Sequence, residues 1–272
     1  MPPPYKPLGQ CLYCERRPPE VPALTDEHIL ALSFGGYPIL PASSCPDCQN
    51  LTRDFEGIVT GKMLLDIRTH FQIRTRRPKK RPTSLPTTAG PVEIISHPPY
   101  LALQDFEHPE ILGLPKVFPE DGLPFRMHTA PDTERRHKAL GDVGVTLNFN
   151  ERAMRLTLAK TAHAYAIAEL GASTFRPLLP DLILGKMPNR AWLVGARPTA
   201  NSEVPDGGDQ MPALFHLIEL RRVQSALGGA FLACEITLFK SLGMPVYQVI
   251  VGSRLSNSIN SSDPISSFRQ DL

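Results

Sequence analysis

The chain has 272 residues, of which 42% are hydrophobic and 21% charged, with a formal net charge of +2. Those values exclude a disordered chain and leave room for one large domain or two ordinary ones. A net charge this small does not mark a nucleic-acid binder, so any such signal has to come from how the charges are distributed. No stretch approaches the ~20 apolar residues of a membrane helix, and the opening MPPPYKPLGQ has no apolar signal region. The expectation is a cytoplasmic protein without membrane contact.

In chain order, residues 1–10 read as a flexible lead. Residues 11–75 form a first module. Its part to residue 50 is dense in Cys, Gly, Pro and Ser and offers little for an ordinary core. Residues 51–75 fit a helix, with Phe55, Val59, Met63 and Ile67 recurring on one face, although Gly57 and Gly61 weaken it. Residues 76–90 are a basic, proline-rich linker. Residues 91–255 read as an α+β accessory domain. VEIIS and PYLAL are candidate short strands there, followed by a helix over 150–171 that Asn150 can cap and Gly171 can close. Strand-like runs cover 215–223, 229–239 and 245–252, with turns at Gly228-Gly229 and Gly243. Residues 256–272 are polar and read as a flexible tail. The fold class is α+β, with a mixed helix and antiparallel-sheet C-terminal domain.

Four of the five cysteines stand in two CxxC pairs, Cys11/Cys14 and Cys45/Cys48, and Cys234 stands alone. Two residues between thiolates let both sulfurs turn toward one ion, and four thiolates satisfy tetrahedral zinc with no open position. Such a zinc is structural and replaces the core that a short segment cannot build. The competing readings are two coincidental pairs or a redox dithiol, and the latter needs only one pair.

Between the pairs lie Glu27-His28-Ile29 and Gly35-Gly36, and the second pair is preceded by Ser44 and opens a helix. This layout resembles the HNH endonucleases. The resemblance implies a zinc-stapled ββα-metal finger and a metal-dependent DNA endonuclease. His28 is then the general base, Glu27 helps to hold a divalent ion (magnesium or manganese), and double-stranded DNA is the expected partner. A histidine's ordinary pKa of about 6.5 suits taking the proton of an attacking water, and a hard divalent ion suits the phosphate charge. Successive strand residues point to opposite faces, so Glu27 and His28 share a site only if their strand ends or bends there. The family's second ligand, His or Asn, follows the last cysteine, where this chain has Gln49 and then Asn50; Asp54 is a substitute one helical turn on. The family's middle Asn is missing, and Pro38-Ile39-Leu40-Pro41 stands there instead. Within the family, Phe55-Glu56 and the run from Leu158 through Lys160, His163 and Tyr165 to Gly171 match one branch.

Arg74, Arg76, Arg77, Lys79, Lys80 and Arg81 put six positive charges into eight residues. They are candidate phosphate contacts, with Arg53 and Arg68 extending the strip; a solvated linker or a patch for an acidic protein is the plain alternative. Lys160 and His163 share a helix face and offer a second candidate active site; the better reading makes His163 a satisfied core or interface residue in a packed stripe. Cys234 reads as a buried, inert thiol. The altered motif favours a second function, a zinc-stabilised DNA- or partner-binding module with little or no cleavage. A redox-sensing zinc protein is a third. The C-terminal domain is the candidate for dimerisation or a protein partner.

Overall fold

The computed structural model describes residues 5–71, 73, 85–87, 90–92, 100–103, 109–113, 125–128, 149–187, 192–197, 215–240, 244–253 and 264–271. The basic run Arg74 to Arg81 and Gly243 lie outside the described residues.

Helices and antiparallel sheets together make the α+β class. The first module opens with a hairpin of β1 (Thr25–His28) and β2 (Ile39–Ser44). Its register pairs Thr25 with Ser44, Glu27 with Leu40 and His28 with Ile39, with an irregularity between Thr25 and Glu27. Helix α1 (Pro46–Ile58) starts at the second cysteine pair, with Cys45 in the extended backbone of a cap and Pro46 at the first position. Phe55, Val59, Met63 and Ile67 are all buried, as their spacing predicts. The run is not one α-helix, however. A π turn covers Val59–Met63 before α2 (Leu65–His70). Gly61 in that turn has low helix propensity, and the extra residue per turn keeps the apolar face inward. Arg68, expected on the basic strip, is buried instead. It donates from Nε to the Ser33 carbonyl at 3.1 Å and from Nη1 to the Thr60 carbonyl, which ties the loop after β1 to the helix.

Short strands β3 (Leu85–Thr87) and β4 (Gly90–Val92) pair with each other, as do β5 (Tyr100–Leu103) and β6 (Phe125–His128). The main sheet comprises β7 (Arg176–Pro177), β8 (Val194–Arg197), β9 (Phe215–Gln224), β10 (Ala230–Thr237), β11 (Val246–Ser253) and β12 (Ser266–Asp271). Its order is β12-β9-β10-β11-β7, all antiparallel, with β8 on the other end of β11. Gly228 and Gly229, both at positive φ, turn β9 into β10. The expected flexible tail is corrected by β12. Ser266–Asp271 pairs along β9, and Phe268 packs on Tyr165 and Tyr37 at ring distances of 6.5 and 5.9 Å. A polar sequence with one aromatic anchor is what an edge strand requires.

Helix α3 (Glu151–Leu170) joins the two parts. The Asn150 side chain accepts from the Ala153 amide at 2.9 Å, and Gly171 follows the last turn at positive φ. The helix is buried on more than the single expected stripe, because it packs across β10 and β11 on one side and on α1 on the other. Small residues Ala159, Ala162, Ala164 and Ala166 permit that double contact. The first module is also better filled than its composition suggests. Leu12, Tyr13, Ile29, Leu30, Phe34 and Leu40 are buried in the same core as α3 and the sheet. Phe34 meets Phe239 edge-on at 5.6 Å.

His163 is the core residue that the sequence suggests. Its Nε2 donates to the Leu12 carbonyl at 2.8 Å, so α3 is tied to the first cysteine pair, while buried Nδ1 has no partner among the described residues. Burial lowers its pKa to about 4. Between about 6.5 and 4 the unfolded chain binds a proton that the folded one refuses. The His163 contribution is therefore fully present above 6.5 and is lost as pH falls toward 4, by up to about 3 kcal/mol. In metal-loaded protein, His163→Gln keeps a donor for Leu12 and is expected to flatten this fall in urea titrations at pH 7 and pH 4.5. An unchanged pH dependence would contradict the assignment.

Candidate active site and metal centre

The cysteine pairs come together because each is fixed by backbone bonds. The Cys11 amide donates to Arg16 O at 2.9 Å and the Glu15 amide to Cys11 O at 2.8 Å, which closes the first knuckle. The Leu12 amide donates to Ser43 O at 2.8 Å, which lays that knuckle on β2, where the second begins. All four Sγ atoms lie within 4.8 Å of one another. Cys14 Sγ and Cys45 Sγ are 3.7 Å apart. A tetrahedral ion with bonds of about 2.3 Å needs sulfur separations of about 3.8 Å, far longer than a disulfide. The cluster can therefore hold one metal ion and is compatible with structural zinc. A hydrogen bond with Cys48 draws the Cys11 thiol down and pushes the Cys48 thiol up.

Sequence reasoning missed Arg16. Its guanidinium lies 3.3 Å from Cys14 Sγ and 3.7 Å from Cys45 Sγ, and 2.9 Å from Asp47. Four thiolates around a divalent ion leave two negative charges, and Arg16 offsets part of that excess as a hydrogen-bonding neighbour of the ligands.

A cavity of about 280 Å³ is lined among others by Asp26, Glu27, His28, Gln49, Arg53, Glu56 and Lys160. It is small for a whole ligand but sufficient for a phosphate group and waters. β1 ends at His28, which is the condition for Glu27 and His28 to face one site, and both line it. His28 Nδ1 lies 2.6 Å from the Gly36 carbonyl. A carbonyl only accepts, so Nδ1 carries the proton and a neutral ring leaves its lone pair on Nε2. Gly36 is required there. It sits at φ +71°, and a Cβ would lie 3.0 Å from Leu32 Cα and 3.3 Å from His28 Nδ1.

The expected divalent-ion ligands do not converge. Gln49 lines the cavity, but Asn50 and Asp54 are exposed on α1 and are not among its lining residues. Glu27 is buried and engaged, with Oε1 2.6 Å from Lys160 Nζ. The same ammonium lies 2.9 Å from Glu56 Oε1 and donates to the carbonyls of His28 and Ile29, the latter at 3.4 Å. Burial by itself would lower the Lys160 pKa, but Glu27 and Glu56 outweigh it and hold the ammonium up at about 12. Burial raises the Glu56 carboxyl against the pull of Lys160. Burial and the nearby Glu27 charge keep the Tyr13 hydroxyl neutral.

Lys160 and Glu56 are thus site residues that the sequence reading left among branch motifs. The signal available was a lysine inside an alanine-rich helix, which needs a buried acid as partner. Arg53 remains exposed at the cavity, the one member of the expected basic strip that the described residues place there. Among the described residues no helix is long and apolar enough to cross a membrane.

Purified protein is expected to carry one tightly held metal ion per chain by elemental analysis. Cys45→Ser should lower that content and the melting temperature together; unchanged content would remove the cluster as a metal centre. Comparison of the chain with family profiles, curated proteins and solved structures found no match.

Proposed function

We propose that the chain is an HNH-type endonuclease, hydrolysing nucleic-acid phosphodiesters with His28 as general base beside a structural zinc held by Cys11, Cys14, Cys45 and Cys48. The carrying observation is the His28 ring fixed through Nδ1 on the Gly36 carbonyl at the edge of a polar cavity, where Nε2 has no protein partner among the described residues. A base whose tautomer is set by a backbone acceptor is ready to receive a proton without reorganising.

In the proposed step a water in the cavity attacks phosphorus as its proton passes to His28 Nε2. The bond from phosphorus to the leaving oxygen breaks, and that oxygen takes a proton from solvent. Arg53 at the cavity and the Arg74–Arg81 run would neutralise the flanking phosphates. Zinc supplies no open coordination position for chemistry and acts by holding the first knuckle against β2 and α1. Magnesium or manganese, expected from the resemblance, does not fit the ligand set as it stands, because Asn50 and Asp54 lie outside the cavity and Glu27 is bound by Lys160. No step is assigned to it.

The same incomplete ligand set favours a second reading, a zinc-stabilised module that binds DNA or a protein partner without cutting. A nicking assay on supercoiled plasmid separates the two. His28→Ala should abolish relaxed and linear product, a loss of at least about 100-fold, with zinc content and the melting curve retained. Equal cutting by the variant would refute the base. Plasmid shifted at low salt without product from either protein would favour the binding module.

A further inference from the structure

Lys160 is among the largest fully buried side chains of the protein, yet it carries a charge and reaches from α3 into the floor of the cavity. Four oxygens surround its ammonium: Glu27 Oε1 at 2.6 Å, Glu56 Oε1 at 2.9 Å, the His28 carbonyl, and the Ile29 carbonyl at 3.4 Å. Two carboxylates and two backbone carbonyls from different elements are the kind of oxygen set that a hard cation takes. The ammonium hydrogen-bonds the two carbonyls and ion-pairs with the two carboxylates, so its charge is met by protein oxygens.

We infer that Lys160 is the resident cation of this cavity: its ammonium fills the place between Glu27 and Glu56 that a divalent ion would otherwise take. Magnesium or manganese could enter between the two carboxylates only if the ammonium left, and the lysine is wholly buried. A divalent ion held beside the ammonium would meet its repulsion at short range.

Lys160 also fixes what surrounds the base. It binds the carbonyl of His28 itself, so the end of β1 is set from α3, while the imidazole is set separately by Gly36. It acts through its neighbours and its field, and is a positioning residue. The chemical consequence, cleavage without an added divalent ion, rests on the hydrolase reading. The occupancy of the carboxylate pair does not.

Two measurements on the zinc-loaded full chain test this. The first is manganese binding, followed by the electron paramagnetic resonance of free Mn2+. The parent protein is expected to show no binding that Glu27→Gln or Glu56→Gln removes. Lys160→Met is expected to gain one Mn2+ site, at least tenfold tighter than any in the parent and lost again in Lys160→Met/Glu56→Gln. Parent protein that binds Mn2+ as tightly as Lys160→Met, with the binding lost on Glu56→Gln, would overturn the inference. If Lys160→Met does not fold, the parent and its two glutamine variants still decide. The second is plasmid nicking in buffer freed of divalent ions, with bound zinc verified. Cleavage that depends on His28 supports the inference, and cleavage that strictly requires added magnesium overturns it. Absence of cleavage in every buffer would count against the hydrolase reading and leave the manganese result standing.

Discussion

One buried ammonium holds this protein's working region together. Lys160 enters from α3 and meets the end of β1 through Glu27 and two carbonyls, and α1 through Glu56. A buried charge with its partners in place adds little net stability, but removing one partner strands the others in a medium that solvates them poorly. The consequence is specificity. The hairpin, the helix that follows the second cysteine pair and the helix of the C-terminal half can only pack in the register that brings the three charges together. His163 repeats the linkage nearly one turn later by donating to Leu12. The first module is therefore not an independent finger on a linker; its hydrophobic core continues into α3 and the sheet.

The cysteine cluster and the ammonium divide the labour. The cluster fixes the first knuckle to β2 and to the start of α1, and Arg16 tempers the negative charge that four thiolates bring. The ammonium fixes the opposite end of β1, where His28 stands. Between them the strand has no freedom to slide, so the imidazole meets the Gly36 carbonyl at a fixed height over the cavity. For the proposed hydrolysis this is preorganisation, in which the base is oriented before substrate arrives.

Local signals were the legible part of the sequence. The paired cysteines, the caps Asn150 and Gly171, the glycine turn at 228–229 and the three long strands all follow from short-range chemistry, and the structure agrees with each. The strand end that lets Glu27 and His28 share a cavity was a stated condition, and it is met. Long-range pairing was not legible. Nothing near Glu27 announces that its partner stands 133 positions away on another helix, and an exposed-looking Arg68 gives no sign that it will bind two carbonyls. The polar tail gives no strand signal, because an edge strand needs few apolar residues once one of them, Phe268, has an aromatic neighbour to pack on. The π turn escaped for a related reason: the apolar spacing continues through it, and only the backbone changes.

Lys160 and Glu56 are expected to be energetically coupled in the folded state, as their 2.9 Å ion pair requires. A double-mutant cycle with Lys160→Met and Glu56→Gln, read by urea denaturation of zinc-loaded protein, tests it most directly. Lys160→Met alone should cost about 3–5 kcal/mol, because it leaves buried Glu27 and half-buried Glu56 without a cation. Adding Glu56→Gln should restore part of that loss, with a coupling energy above about 1.5 kcal/mol. Additive losses, or a Lys160→Met variant as stable as the parent, would show that the ammonium does not hold these elements together.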